Sequence, residues 1–200
     1  MLDKYKDNPY IGQLLCPQDG NLIRPHLPVA VDNSAFSDWD ESKYIALLDK
    51  LQGYKVLWVS APDVVGDAQA TSRLYDKWMP EIRKRGFPVA LVLQDGQEWI
   101  GLPHPDDYDA IFIGGTTEFK LGAYARYCVQ RVHEDGKLAH MGRVNSIRRA
   151  VYAYDIGCDS IDGSGYSRFP QKVKPLLSAL SNYKKHQLFP FITAQKEGVK

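Results

Sequence analysis

The sequence predicts an α/β protein: a compact or incomplete (β/α) barrel of the TIM type, with parallel strands inside and helices outside. Short apolar runs with strand character alternate with longer segments of helical periodicity, the pattern of βαβ units and a parallel sheet. Four helical segments stop at a glycine just before the next strand, at Gly53, Gly86, Gly136 and Gly157. The 200 residues hold six or seven such units, whereas a full eightfold barrel usually needs about 250 residues. A doubly wound open sheet is the alternative.

The individual elements follow from the spacing of the apolar residues. Strands are predicted over residues 28–32, 55–61, 88–94, 109–113, 137–141 and 158–162, with a further one over 10–15. Helices are predicted over residues 40–52, 67–86, 119–135, 145–156 and 171–183. Asp40 and Ser42 are candidate caps of the first helix. Right-handed crossovers then place all the helices on the outside of the sheet.

Composition limits the class of protein. A net charge of +1 argues against a purely electrostatic, histone-like nucleic-acid binder. No apolar run approaches the roughly 18 residues of a membrane span. The cysteines Cys16, Cys128 and Cys158 form no CxxC pair and no zinc pattern, which favours a cytoplasmic location. We expect one domain over residues 1–200, with a short basic C-terminal tail from about residue 186.

Two aspartates are the candidate catalytic residues. Asp32 follows the apolar run of the second predicted strand, and Asp162 ends the last one. Because the carboxyl ends of parallel strands open on one face, the two carboxylates are expected to meet there. Gly163 and Gly165 are expected to leave open space beside Asp162, as a nucleophile needs. The structural alternatives are a helix cap for Asp32 and an Asx-type turn for Asp162.

Other strand ends supply candidate substrate-binding groups: Asp63, Asp67, Gln94, Gly114, Gly115, His140 and Arg143. One aspartate of the Asp63 and Asp67 pair is expected to cap a helix and the other to bind ligand. The amide of Gln94 and the two glycines suit the edge of a flat heterocycle, because glycine lets a ring come close. Tight turns and a structural histidine are the alternatives.

These residue types suit glycosyl transfer. One carboxylate attacks the anomeric carbon of a sugar, and a second manages the protons. No Walker A motif is present, and no GxGxxG fingerprint follows a strand. No cluster requires a metal, so neither a metal nor another cofactor is expected. Basic residues close to Asp162, among them Lys172 and Lys174, are candidates for nucleic-acid contact.

The order of the strand-end motifs resembles the tRNA-guanine transglycosylase superfamily. The motifs are DNSAF, PDVVGD, VLQDG, FIGGTTE, HMGRVNS and DSIDG, and they run from about Pro28 to Pro170. The resemblance is greatest to the small phage and bacterial branch, whose relatives include enzymes that install 7-deazaguanine bases in DNA.

The resemblance implies a role for several residues. Asp162 would be the nucleophile that displaces guanine, and Asp32 the general base that activates the incoming base. Asp67, with Asp63 as its rival, would read the heterocycle, and Gln94 with Gly115 would complete the base pocket. The sequence departs from the family where DNSAF replaces DSGGF. It also lacks the Cys₃His zinc subdomain of the tRNA enzymes.

The expected partners are therefore a nucleic acid, with DNA favoured over tRNA, and a free nucleobase. The expected activity is replacement of guanine by a 7-deazaguanine base through a covalent Asp–glycosyl intermediate. A DNA glycosylase or nucleoside hydrolase on the same scaffold is the first alternative. A non-catalytic nucleobase- or nucleic-acid-binding module is the second, and an unrelated TIM-barrel metabolic enzyme is a further one.

Overall fold

Seven parallel strands form one sheet in the described part of the chain. The computed structural model describes residues 7–18, 22–35 and 39–183. The strands are β1 (Gln13–Leu15), β2 (Val29–Val31), β3 (Val56–Ser60), β4 (Val89–Leu93), β5 (Ala110–Ile113), β6 (Leu138–Met141) and β7 (Ser160–Ile161). Their spatial order is the chain order, β1 to β7, and every neighbouring pair is parallel. All the predicted strands are thus confirmed, each somewhat shorter than its apolar run.

The helices lie in the connections from β2 onward and after β7, and the described residues between β1 and β2 contain none. They are α1 (Glu41–Lys50), α2 (Ala68–Lys84), α3 (Gln97–Ile100), α4 (Thr117–Leu121), α5 (Ala123–Glu134), α6 (Ile147–Asp155) and α7 (Ser164–Arg168). Short 3₁₀ turns cover Pro105–Asp107 and Pro170–Lys172, and residues 173–183 form a last helical segment, α8. Asp40 caps α1 by accepting a hydrogen bond from the Lys43 N–H. The glycines predicted to stop four helices all have a positive φ, the region that glycine adopts without steric cost.

The predicted helix over residues 119–135 is in fact two helices. Gly122 separates α4 from α5, and its extended backbone breaks the run of helical hydrogen bonds. The β4–β5 connection also differs from the others, because it holds only the four-residue α3 and a 3₁₀ turn. Its sequence has two prolines, Pro103 and Pro105, and a proline interrupts helical hydrogen bonding.

Alternating residues of each strand point into two different apolar clusters. Val89, Leu91 and Leu93 of β4 belong to the large cluster beneath the helices. Ala90 and Val92 of the same strand belong to a smaller cluster on the opposite face. Both faces of the strand are therefore buried, as is usual for a parallel sheet.

The sheet is curled so that its inner face closes on itself. The rings of Trp58 in β3 and His140 in β6 lie 4.8 Å apart, centroid to centroid. In a flat sheet these strands would be separated by three strand spacings, about 14 Å. The ring of Phe112 in β5 packs against both of them, 5.8 Å from Trp58 and 4.7 Å from His140. The small residues Ala30, Ala90 and Ala110 complete this interior, which we call the aromatic plug.

The architecture is an incomplete (β/α) barrel, as predicted. The sequential strand order excludes the doubly wound alternative, which requires a reversal of direction within the sheet. β1 and β7 form the two edges of the sheet. The predicted basic tail from about residue 186 lies outside the described residues. None of the helices in the described part of the chain combines the length and apolar character of a membrane crossing.

We predict that the aromatic plug contributes strongly to stability. Trp58 is 2% exposed, and Trp58→Ala should lower the free energy of unfolding by about 3–5 kcal/mol, because it leaves a cavity inside the curled sheet. The matched control is Trp99→Ala, since Trp99 is 86% exposed and should change stability by less than about 0.5 kcal/mol. Urea denaturation measures both. Equal losses of unfolding free energy in the two variants would contradict the conclusion that the aromatic plug stabilises the curled sheet.

Candidate active site

The polar residues predicted from strand ends lie at the carboxyl-terminal end of the sheet. Asp32 follows β2, Gln94 follows β4, and Asp162 follows β7. Because all strands are parallel, these residues share one end of the half-barrel. The aromatic plug forms the floor beneath them. The structure therefore brings together residues that are far apart in the sequence.

Asp162 is anchored through one carboxylate oxygen. Its Oδ1 lies 3.2 Å from Nε2 of His140 and accepts a hydrogen bond of 2.9 Å from the backbone N–H of Arg143. Its Oδ2 makes no hydrogen bond with any residue that the structure describes. The side chain is 21% exposed, so the second oxygen is available to a substrate.

His140 links the aromatic plug to the carboxylate. Its ring is buried in the plug, and Nδ1 lies 2.8 Å from Oγ of Ser160. A carboxylate can only accept, so Nε2 carries the proton toward Asp162 and Nδ1 of a neutral ring accepts from the Ser160 hydroxyl. His140 is thus oriented from three sides, by Ser160, by the rings of the plug and by Asp162. It positions Asp162 from inside the barrel.

Arg143 joins the ends of two further strands to the site. Its backbone adopts a left-handed conformation with φ of 57°, which is uncommon for a residue with a side chain. This turn aims its N–H at Asp162, while its guanidinium donates to the carbonyl oxygen of Gly115 at 2.9 Å. Burial lowers the pKa of Arg143, and the carboxylates around it, first that of Asp162, act in the opposite direction.

Asp32 lies close enough to Asp162 for their charges to interact. Burial is the largest cause that raises the pKa of Asp32, and the negative charge of Asp162 raises it further. A hydrogen bond from the Ser34 N–H and the charge of Arg143 oppose the shift, as does that of His140 when its ring is protonated. β2 and β7 are not neighbours in the strand order, so the curl of the sheet is what brings Asp32 close to Asp162. Asp32 therefore holds a proton more readily than an ordinary aspartate.

Asp63 lies in the same site and is bound to two amides. Its carboxylate accepts from Nδ2 of Asn33 at 2.7 Å and from Nε2 of Gln94 at 2.5 Å. Burial raises its pKa to about 6, with a smaller contribution from the charge of Asp32. Oε1 of Gln94 accepts from the Gly66 N–H at 2.9 Å. Both the oxygen and the nitrogen of the Gln94 amide are therefore hydrogen-bonded within the protein, and Gln94 holds Asp63 in place.

Asp67 has the helix-capping role that was expected for one aspartate of the Asp63 and Asp67 pair. It caps α2, where its carboxylate accepts from the Ala70 N–H at 2.8 Å, and it is exposed. Asp63, which the family resemblance implied only as the rival of Asp67, is the member that faces Asp32 and Gln94.

Two neighbouring glycines that follow β5, Gly114 and Gly115, are closely packed against the end of β4. At Gly114 a Cβ would lie 2.8 Å from Nε2 of Gln94 and 3.0 Å from the Leu93 carbonyl. Gly115 has φ of 70°, and a Cβ there would lie 2.7 Å from the Asp95 carboxylate. Both positions therefore need glycine so that the β4 and β5 ends can approach each other.

The expectation that Gly163 and Gly165 open space beside Asp162 is wrong. A Cβ on either would lie within 2.9 Å of Oδ1 of Asn145, so that side chain fills the space. The glycine beside the carboxylate is Gly142, where a Cβ would lie 3.3 Å from Oδ1 of Asp162 and 2.4 Å from the Phe112 ring. The sequence did not reveal this neighbour, because Gly142 follows β6 whereas Asp162 follows β7.

Sequence reasoning missed Lys120 as part of the site. Only 8% of this lysine is exposed, and its Nζ donates to the carbonyl oxygen of Gly142 at 2.9 Å. Burial lowers its pKa to about 8, and the charge of Arg143 acts in the same direction. In the sequence it is an ordinary lysine of a helical segment, with no local signal of burial. Asn33, which holds Asp63, is likewise a residue that the sequence shows only as a letter of the DNSAF motif.

No group of three or more histidine, cysteine, aspartate or glutamate side chains able to hold a metal occurs among the residues that the structure describes.

No family model matches the sequence, and no curated protein matches it. Thirteen chains of solved structures are similar to it. One is the YkuI protein of Bacillus subtilis, with an EAL domain, in complex with substrate c-di-GMP and calcium. It has a TM-score of 0.49 and 13% identity, over 87% of this chain and 48% of that chain.

Another similar structure is a putative glycerophosphoryl diester phosphodiesterase from Silicibacter pomeroyi. It has a TM-score of 0.36 and 12% identity, over 68% of this chain and 46% of that one. The chain thus spans about half the length of these proteins. At these TM-scores the two similarities carry no argument about the fold or the activity of this chain.

We predict that Asp63 titrates near neutrality. Its pKa is raised from 3.8 to about 6, so its contribution to stability is complete below about pH 4 and is lost as the pH rises through about 6. A carboxyl ¹³C NMR titration measures the midpoint. Asp95 is the control, because hydrogen bonds from Thr116 oppose its slight burial and lower its pKa. A midpoint near 4 for Asp63 would contradict its burial in the site.

Proposed function

We propose that this protein is a base-exchanging glycosyltransferase that acts on nucleic acid, with DNA favoured over tRNA. It would replace guanine by a 7-deazaguanine base through a covalent intermediate on Asp162. The observation that supports this most is the pairing of Asp162 with Asp32. Two carboxylates interact across the barrel mouth, and their surroundings differ.

Asp162 is suited to be the nucleophile. One of its oxygens is fixed by His140 and the Arg143 N–H, while the other makes no hydrogen bond to any described residue. A carboxylate held in this way keeps a fixed direction of attack without losing its reactive oxygen. In the first step Oδ2 forms a bond to C1′ of the nucleotide. The C1′–N bond breaks, and its electron pair leaves with the base.

Asp32 is suited to carry the proton. Its raised pKa favours the protonated acid, which donates its proton to the departing base. The resulting Asp32 carboxylate then takes the N–H proton of the incoming base. That nitrogen attacks C1′, the C1′–O bond breaks, and Asp162 recovers its electron pair. Asp32 thus serves as acid in one half of the reaction and as base in the other.

Asp63 and the glycine turn supply the surface for the base. The Asp63 carboxylate is oriented by Asn33 and Gln94 and retains further acceptor capacity for the N–H groups of a purine. Gly114 and Gly115 are buried at the adjacent strand end, so they shape this surface by packing against Gln94 and Asp95 and do not offer open backbone to a ring. Asp67 contributes to this surface only through the helix that it caps. A base in duplex DNA must leave the stack to reach such a site.

We predict that Asp162→Asn abolishes the reaction. Loss of the nucleophile should reduce turnover by at least about 10³-fold, and no covalent protein–DNA adduct should form. Denaturing electrophoresis and intact-mass measurement detect the adduct. Asp106→Asn is the matched control, because the Asp106 side chain is 88% exposed and remote from the site. An adduct or full activity in Asp162→Asn would contradict the assignment.

We predict that Asp32→Asn slows the reaction by about 10²–10⁴-fold, the usual contribution of a general acid or base. Its circular dichroism and unfolding curve should stay close to those of the unmodified protein. The fall in turnover should be smaller for a synthetic nucleoside whose leaving group needs no proton. An equal fall for both leaving groups would contradict a proton-transfer role for Asp32.

Mass spectrometry of nucleosides separates the candidate activities. The protein is incubated with guanine-containing DNA or tRNA, with and without a free 7-deazaguanine base. A deazapurine nucleoside in the polymer supports exchange and identifies the polymer. Abasic sites with released base would instead assign hydrolysis, as in a DNA glycosylase. Unchanged polymers, together with binding of the free base, would assign a non-catalytic module.

A further inference from the structure

A cationic cleft adjoins the proposed nucleophile. Three positively charged side chains, Lys120, Arg143 and Arg149, line it together with Thr117, Gly142 and the apolar residues Leu121, Met141 and Val144. Its enclosed volume is about 10 Å³, enough for one water-sized group at the floor, and above this it opens to solvent. The cleft lies between α4, the turn after β6 and the start of α6.

Lys120 carries N–H donors that none of the described residues accepts. An ammonium has three N–H donors, and among the described residues only the Gly142 carbonyl accepts from it. No carboxylate oxygen of those residues lies within 4.0 Å of its Nζ. The charges of Arg143 and Arg149 add to burial in lowering its pKa to about 8, while the carboxylates of Asp162 and Asp95 act in the opposite direction. Since neither carboxylate contacts Nζ, the unused donors of this buried cation favour a bound anion.

Arg149 lies at the end of a helix where a positive charge is unfavourable. It lies in the first turn of α6 with Arg148, and this turn contains no acidic residue. The N-terminal end of a helix carries partial positive charge, so a cation there is disfavoured. The guanidinium is nevertheless held over the cleft, where it donates to Oγ1 of Thr117 at 3.2 Å. Among the described residues no carboxylate pairs with it.

We propose that this cleft binds a phosphate group of the nucleic-acid backbone next to the reacting nucleotide. Guanidinium and ammonium groups around a hydroxyl are a chemistry suited to phosphate oxygens. Gly142 and Arg143 connect the cleft directly to Asp162, so a bound phosphate fixes the sugar beside the nucleophile. The phosphate site is inferred only from the cluster of cations and not from the proposed function. Its assignment to nucleic acid rests on the proposed function.

The test measures the binding of two probes that do not react. The probes are inorganic phosphate, followed by ³¹P NMR, and a fluorescent single-stranded oligothymidylate, followed by anisotropy over a range of salt. Neither contains guanine, so a failure of the proposed activity does not affect the result. Lys120→Met and Arg149→Gln remove cleft cations. Arg148→Gln is the matched control, since Arg148 lies one residue away on the same turn, is exposed and does not line the cleft.

We expect Lys120→Met and Arg149→Gln each to weaken binding of both probes roughly tenfold, as loss of a charge-assisted hydrogen bond does. The salt slope for the oligonucleotide should fall by about one. Arg148→Gln should stay within about twofold of the unmodified protein. Arg149→Gln keeps the test valid if Lys120→Met does not fold, because Arg149 lies at the surface.

Two outcomes would overturn the proposal. If the cleft variants weaken phosphate binding but leave the oligonucleotide unaffected, the site takes a free phosphate or a small phosphate ester, and the assignment to nucleic acid is wrong. If all three variants bind both probes as the unmodified protein does, the cleft is not an anion site.

Discussion

The packing of Trp58, Phe112 and His140 inside the curled sheet is the contact on which the rest of the site depends. It joins β3 to β6 across a distance that a flat sheet would not allow. The same curvature brings the end of β2 within electrostatic range of the end of β7. His140 transmits the geometry of this core to the surface, because one edge of its ring packs in the plug and Nε2 meets Asp162.

Electrostatic balance is the second constraint on the site. Asp32 and Asp63 are half-buried acids with raised pKa values, and Lys120 is a buried base with a lowered one. Each shift reflects the cost of charge in a poorly solvated mouth. Arg143 lies among these groups and interacts with all of them. Such opposed shifts at one barrel mouth are typical of a site that moves protons or binds anions.

The sequence predicted the positions of the strands and the turns more accurately than the roles of individual side chains. Period-two and period-3.6 patterns reflect local backbone geometry, so strands, caps such as Asp40 and glycine stops could be read directly. Gly163 and Gly165 were misread because their neighbour, Asn145, comes from a distant turn. Lys120 was missed for the same reason, since burial of one lysine on an amphipathic helix leaves no local pattern.

The sequence by itself determined that strands and helices alternate, that the sheet is parallel, and that acidic residues collect at one end of it. These properties follow from local periodicity and from the handedness of crossover connections. Only the tertiary structure decided that Asp63 faces the site while Asp67 caps a helix, and that Gly142 and Lys120 flank Asp162. Those choices depend on how far the sheet curls, and the curl is set by contacts between residues far apart in the chain.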